Sequence, residues 1–309
     1  MGGMINIFGA TEKRLEQATG WLMAGPAILG LILFIALPFA LAIGFSLTTL
    51  RLDSPLAVEF CGLEQFLRIF QDLGFRRALI NNAIFAAVVV PLQTSLALGL
   101  ALLLNRPLRG MVIFRTVFFM PVIFPMALIA VVFELIFAPG PNGLMNGFLI
   151  FISHGHWQPL DFLHDPHTAL AALMVLSIWQ GVGFQMVIML AGLQSIPASL
   201  YEAAAIDGAN RWQRFVYITI PQMRNTIIFV ALVTTILAYR LFDQVWILTQ
   251  GGPNRATTTV MFETVRAIFR RQDVARGAAM SVVFFVIVLT VTVIQRRLVS
   301  ERSEIEPEE

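Results

Sequence analysis

Residues 78–104 read ALINNAIFAAVVVPLQTSLALGLALLL, 27 positions without a Lys, Arg, Asp or Glu. The hydrocarbon core of a bilayer is about 30 Å thick and an α-helix rises about 1.5 Å per residue, so about 20 apolar residues span it. Backbone groups in hydrocarbon must bond within their own segment, which a helix achieves and a lone strand does not. This stretch is therefore a spanning helix. Outward from it, five more segments meet the same test: 21–48, 111–137 with Arg115 and Glu134 near its ends, 168–193, 226–249 with Arg240 and Asp243 inside it, and 277–295. The expected fold is an all-α polytopic membrane protein with six transmembrane helices. Pro26, Pro38, Pro91, Pro121 and Pro125 fall inside these spans. Each removes a backbone donor and can kink its helix, either as a packing feature or as a hinge.

Composition agrees. Of 309 residues, 57% are hydrophobic and 13% charged, against about 25% charged in soluble domains; mean hydropathy is +0.77. The net charge of +2 gives no reason to expect nucleic acid as a partner. One cysteine, Cys61, excludes an internal disulfide framework and a thiolate zinc cluster. The single lysine, Lys13, lies between Glu12 and Arg14 and not after a glycine, so no phosphate-binding loop of the Walker type exists in this chain. Energy for any driven process would enter through a partner or an ion gradient.

Six spans place both termini on one side. Eleven basic residues, among them Arg211, Arg214 and Arg224, then fall on the side of the termini and nine on the other, a weak asymmetry under the positive-inside rule. Residues 138–166 contain no Lys or Arg, which favours the outside for that loop.

The segment between the fourth and fifth spans, 195–221, reads SIPASLYEAAAIDGANRWQRFVYITIP. Ser199 followed three residues later by Glu202 has the form of a capping box. Alanines favour a helix with a small, smooth face, and Asp207-Gly208 ends it, because glycine accepts the left-handed conformation. Trp212, Phe215 and Val216 at helical spacing, with Arg211 and Arg214 elsewhere on the helix, predict an amphipathic segment along the membrane surface. Pro221 would mark the bend into the fifth span.

These residues resemble the EAA loop of binding-protein-dependent ABC importer permeases: Glu202-Ala203-Ala204, three residues, Gly208, nine residues, Ile218, one residue, Ile220-Pro221. The family usually has Leu where Ile220 stands. The form Glu-Ala-Ala-x-Ile-Asp-Gly-Ala is similar to the carbohydrate-uptake branch. Phe60-Cys61-Gly62-Leu63-Glu64-Gln65-Phe66, Leu104-Asn105-Arg106, Arg109-Gly110, Phe114-Arg115 and Gly251-Gly252-Pro253 extend the likeness over nearly the whole chain. The type is that of the larger maltose-transporter permease subunit.

The resemblance implies a single permease domain over 1–309: a cytoplasmic segment 1–20, a six-helix bundle 21–295 and a cytoplasmic tail 296–309, in the cytoplasmic (inner) membrane. It implies that the loop is cytoplasmic and docks on an ATPase, with Glu202, Ala203, Ala204, Asp207, Gly208, Ile218 and Pro221 as coupling residues. Glu202 would pair with a cation of the ATPase, cap its own helix, or do both. The implied partners are a second, related permease in a heterodimer, two ATPase subunits, an extracytoplasmic solute-binding protein and membrane lipid. ATP and Mg would be bound by the ATPases, with no cofactor and no catalysis here.

For the solute path the resemblance implies Ser177, Trp179, Gly181 and Phe184 in span four and Thr234, Leu237, Ala238 and Leu241 in span five. Read from the residues alone, small side chains at helix contacts serve equally as packing. Arg240 and Asp243 are costly at membrane depth and suggest function, or form an i, i+3 ion pair. His154, His156, His164 and His167 share one loop with Asp161 and Asp165, in no zinc-site spacing. Two other classes remain in view. A stand-alone ion-coupled sugar carrier would show repeats and midplane acids; an intramembrane hydrolase would show paired Asp residues or HExxH. Neither pattern is found.

Overall fold

The computed structural model describes residues 19–106 and 110–300. Lys13, Arg14, Arg109 and Arg302, with most of the two terminal segments, lie outside the described residues. The chain is helical. Among the described residues, strand pairing is confined to the isolated bridges Thr48–Phe60 and Arg51–Asp273.

Helix α1 spans Thr19–Ser46, followed by a short α2, Glu64–Gln71, and by α3, Leu73–Leu104. Two shorter helices, α4 (Met111–Ile123) and α5 (Met126–Ile136), then meet at 100°. The expected third span is therefore broken rather than continuous. The break is at Phe124-Pro125, both extended in ψ, because a residue before proline is driven out of the helical region. Helix α6, Leu144–Ile152, lies within the loop 138–166 that contains no Lys or Arg. Next come α7 (Ala169–Gln194), α8 (Ala198–Ile206), α9 (Arg211–Tyr239), α10 (Val260–Val265) and α11 (Val274–Ser300). Five of these helices are long and apolar enough to cross a membrane, and the bent pair α4–α5 makes a sixth span if counted as one.

The fifth span is displaced from its expected place. It begins at Arg211, not Thr226, and ends at Tyr239, not Thr249. The amphipathic segment is thus the first turns of α9 and not a separate surface helix. Pro221 makes no bend. Upstream of it, Phe215–Thr219 form a π-turn in which Ile220 N–H bonds to Phe215. The same device precedes Pro38, with a π-turn over Ile32–Ala36. Proline lacks an N–H and its ring crowds the carbonyl four residues back; a wider turn just upstream relieves both.

α7 is the central helix and packs along α3 and α4, while α9 crosses α3 and α1 lies on α11, where Phe39 meets Phe285 with ring centres 4.4 Å apart. Bare backbone lets the central helices approach. A Cβ on Gly183 of α7 would collide with the Phe118 carbonyl of α4, and one on Gly192 would meet Thr226 Oγ1 of α9 at 2.7 Å. The apolar interior of the described residues divides in three. One cluster, around Phe85, Phe133, Leu173 and Leu241, lies near the α4–α5 break. A second, around Ala97, Met186, Met189 and Met223, lies near α8. A third, around Ile69, Phe75, Val260 and Met280, joins α2 and the start of α3 to α10 and α11.

Candidate functional site

At Arg240 the backbone of α9 leaves the helix, and it re-forms as a π-helical segment over Val245–Thr249. A helix that stops inside a bundle leaves its last carbonyls without partners, and within a bilayer each must be satisfied by protein. Asn82 of α3 supplies this. Its Nδ2 donates to the Tyr239 carbonyl at 3.3 Å, and its Oδ1 accepts from Val260 N–H at 2.9 Å. The Thr259 hydroxyl donates to the Leu241 carbonyl at 2.9 Å. The adjacent Asn81 donates to the carbonyls of Arg255 and Thr258 at 3.0 and 2.9 Å. Sequence reasoning passed over this pair, although two adjacent amides in a charge-free run were a visible signal.

Around the break lies a cavity of about 240 Å³. It brings together six of the eight expected path residues: Ser177, Gly181, Thr234, Leu237, Ala238 and Leu241. The other two face elsewhere. Trp179 packs on Phe133 with ring centres 5.3 Å apart, and Phe184 is partly exposed on the outside of α7. Arg240 and Asp243 both line the cavity. Because the helix ends between them they lack helical i, i+3 spacing, and among the described residues they form no ion pair. The sequence reading missed Gln93, Gln244 and Phe85 as lining residues.

The wall is mixed, and part of its polar side is organised by hydrogen bonds. The Gln185 amide donates to Thr234 Oγ1 at 2.6 Å, and the Thr234 hydroxyl donates to the Val230 carbonyl. Gln244 donates to Ser177 Oγ, whose hydroxyl donates to the Leu173 carbonyl. These bonds fix α7 against α9 and against the segment after the break.

At the opposite end of α9, the loop forms the expected helix with different caps. Ser199 and Glu202 make no capping box: Pro197 is the N-cap of α8, without a side-chain bond. The capping box is Asn210 with Gln213, at the start of α9. The C-terminal expectation holds. Gly208 has φ +77°, Ala209 N–H bonds to Ala204 and Gly208 N–H to Ala205, which is a Schellman motif. Glu202, Ala203 and Asp207 are exposed, as is Gly208; Ala204 is half-buried. Ile218 sits in the π-turn and Pro221 two residues beyond it. No residue of α8 is buried. One hydrogen bond ties it to α9, the Tyr201 hydroxyl with Thr219 Oγ1 at 2.9 Å, and Arg214 Nε donates to the carbonyl of Ala209, in the link between the two helices, at 2.9 Å. Ile206 is 87% exposed and Tyr217 76%.

The histidines do not converge. His164 contacts Asp161 and His167 contacts Asp165, each at 3.0 Å. The His167 backbone N–H, more than its ring, holds the Asp165 carboxyl below its ordinary range. Among the described residues no three His, Cys, Asp or Glu side chains form a metal-binding group.

The arrangement of these helices is that of chains of a solved ABC importer. The structure superimposes on a chain of a bacterial ABC transporter involved in the import of the acidic polysaccharide alginate with TM-score 0.79 and 20% identity, over 96% of this chain and 99% of that one. A second solved structure, that alginate transporter in complex with its alginate pentasaccharide-bound periplasmic protein, gives 0.80 and 20%, over 95% and 98%. The chain belongs to the family of binding-protein-dependent transport system inner membrane components, matched over residues 93–303. It is 35% identical to the lactose transport system permease protein LacF of Rhizobium radiobacter, over 91% of this chain and 93% of that one. It is 34% identical to the trehalose/maltose transport system permease protein MalF of Thermococcus litoralis (94% and 97%). It is 32% identical to the sn-glycerol-3-phosphate transport system permease protein UgpA of Yersinia pestis (91% and 94%).

Proposed function

We propose that the chain is the non-catalytic permease subunit of an ATP-driven importer for a sugar or sugar-like solute, set in the inner membrane with both termini cytoplasmic. It works with a second permease, two ATPase subunits that bind ATP and Mg, and an extracytoplasmic solute-binding protein. The sugar class is supported by the names of the lactose and trehalose/maltose relatives. The cavity at the α9 break supports the solute path, since irregular backbone at membrane depth belongs where it lines a cavity.

One observation carries the coupling proposal: α8 has no buried residue, yet it is hydrogen-bonded to the base of the helix that ends at the cavity. A short helix with Ile206 bare beside it is a surface awaiting a partner. An ATPase that moves α8 would move α9 through Tyr201 and Arg214. The helix Arg211–Tyr239 has 29 residues, so it carries the displacement about 40 Å at 1.5 Å per residue. The test is the whole transporter in vesicles, with Glu202→Lys and Gly208→Pro. Both variants are expected to keep ATP hydrolysis and lose uptake. Unchanged uptake in both refutes α8 as the docking element. Accumulation of sugar by the chain alone under an ion gradient replaces the reading with that of a secondary carrier.

A further inference from the structure

Ser177, Gln185, Thr234 and Gln244 of the cavity wall are hydrogen-bonded; Gln93 is not. It comes from α3, its residue is 5% exposed, and it lines the cavity. Among the described residues its amide makes no hydrogen bond, in a protein where buried amides such as Asn81, Asn82 and Gln185 do. Its amide faces the cavity, and an unbonded amide within an apolar span calls for a ligand or water. Its seat is specific. A Cβ at Gly181 would lie 3.3 Å from Gln93 Cδ and collide with Nε2, so the amide rests on the bare backbone of α7. Gly181 thus admits an amide that any larger residue would displace.

A primary amide presents a donor and an acceptor side by side. That pair matches two neighbouring hydroxyl groups, each of which both donates and accepts. On the same wall stand Arg240 and Asp243, of opposite charge and without an ion pair between them. A neutral polyhydroxylated solute can use both. An anionic one gains from Arg240 and is opposed by Asp243. Resting on the importer reading above, we infer that Gln93, seated on Gly181, is a specificity-determining residue of the solute path and that the solute is a neutral sugar.

The test uses membrane vesicles holding the complete transporter, with ATP-dependent uptake of lactose, trehalose, maltose and sn-glycerol 3-phosphate measured separately. Wild type is expected to take up at least one neutral sugar in preference to the phosphate. Gln93→Leu is expected to raise its KM about 10-fold, the equivalent of one lost hydrogen bond. Gly181→Ala is expected to do nearly the same while leaving the thermal transition unchanged, since only the end of a flexible side chain must move. The double variant is expected to be no worse than Gln93→Leu alone, because Gly181 acts through Gln93. That non-additivity shows the two positions acting together, and a raised KM with an unchanged thermal transition is the readout a packing role would not produce. Preference for sn-glycerol 3-phosphate, uptake of none of the three sugars, or additive effects of the two substitutions overturns the inference. ATP hydrolysis coupled through α8 is assayed independently, so that failure is distinct from failure of the importer reading.

Discussion

Gly183→Ala puts the packing argument at most risk. The added methyl would sit 2.7 Å from the carbonyl carbon of Phe118 and 3.0 Å from Cα of Phe119, with the Phe118 oxygen closer still, where ordinary contact begins at 3.4 Å. Both obstacles are backbone of α4, so no rotamer change relieves them. The helices must part by about 1 Å or more, and overpacking of this kind costs about 1–3 kcal/mol. Alanine recovers up to about 1 kcal/mol of helix propensity over glycine. The backbone obstacle favours the upper end of the penalty, so the net loss is about 2 kcal/mol, a fall of about 4–6 °C in the thermal transition. Gly99→Ala is the control: it lies within α3 with nothing inside 4 Å of its virtual Cβ, and should hold or raise the transition. Thermal unfolding of the purified, detergent-solubilised protein, followed by circular dichroism at one scan rate, measures all three chains. Equal transitions for Gly183→Ala and Gly99→Ala would refute the close approach of α7 and α4.

Two further perturbations probe the ends of α9. Asn82→Leu leaves the Tyr239 carbonyl and Val260 N–H without partners, at about 1–3 kcal/mol for each buried group orphaned. A large loss of folded protein in fluorescence-detected size exclusion is expected, and near-wild-type yield would sink the assignment of Asn82 as the clamp. Tyr201→Phe removes one hydroxyl from the tie between α8 and α9. Assembly and ATP hydrolysis should persist while solute taken up per ATP falls several-fold, and an unchanged ratio of the two rates would place the transmission elsewhere.

What the sequence revealed and what it concealed divide along a physical line. Burial in a bilayer demands long apolar runs, so the existence of the spans was written in residues 78–104 and 168–193 plainly enough to read. Local chemistry was legible where one residue decides it, as at Gly208, whose left-handed conformation glycine adopts without steric cost. Where hydropathy stays constant, the pattern is silent about interruptions. Residues 117–133 are apolar throughout, yet Phe124-Pro125 turn the chain by 100°. Pro125 was visible in the sequence, but whether a proline kinks, breaks or is absorbed depends on what accepts the freed carbonyls. At Pro38 and Pro221 a π-turn absorbs it within the helix.

The same reasoning explains the uneven reading of the cavity. Ser177, Gly181, Thr234 and Ala238 were reached through the family resemblance, and helical spacing is consistent with their common faces, although Phe184, at the same spacing, lies outside. Gln93 and Gln244 come from other elements, and nothing local to either announces a meeting with Gly181 or Ser177. Such meetings exist only after α3, α7 and α9 have packed, and they depend on glycines whose missing side chains leave no hydrophobic signature. An amide in an apolar span is nevertheless a signal in its own right. Hydrocarbon tolerates an unbonded amide poorly, so each of Asn81, Asn82, Gln93 and Gln185 had to find backbone, side chain or cavity. Asn81 and Asn82 found backbone, and Gln185 found Thr234. Gln93, with only the cavity before it, is an amide whose environment a solute would complete.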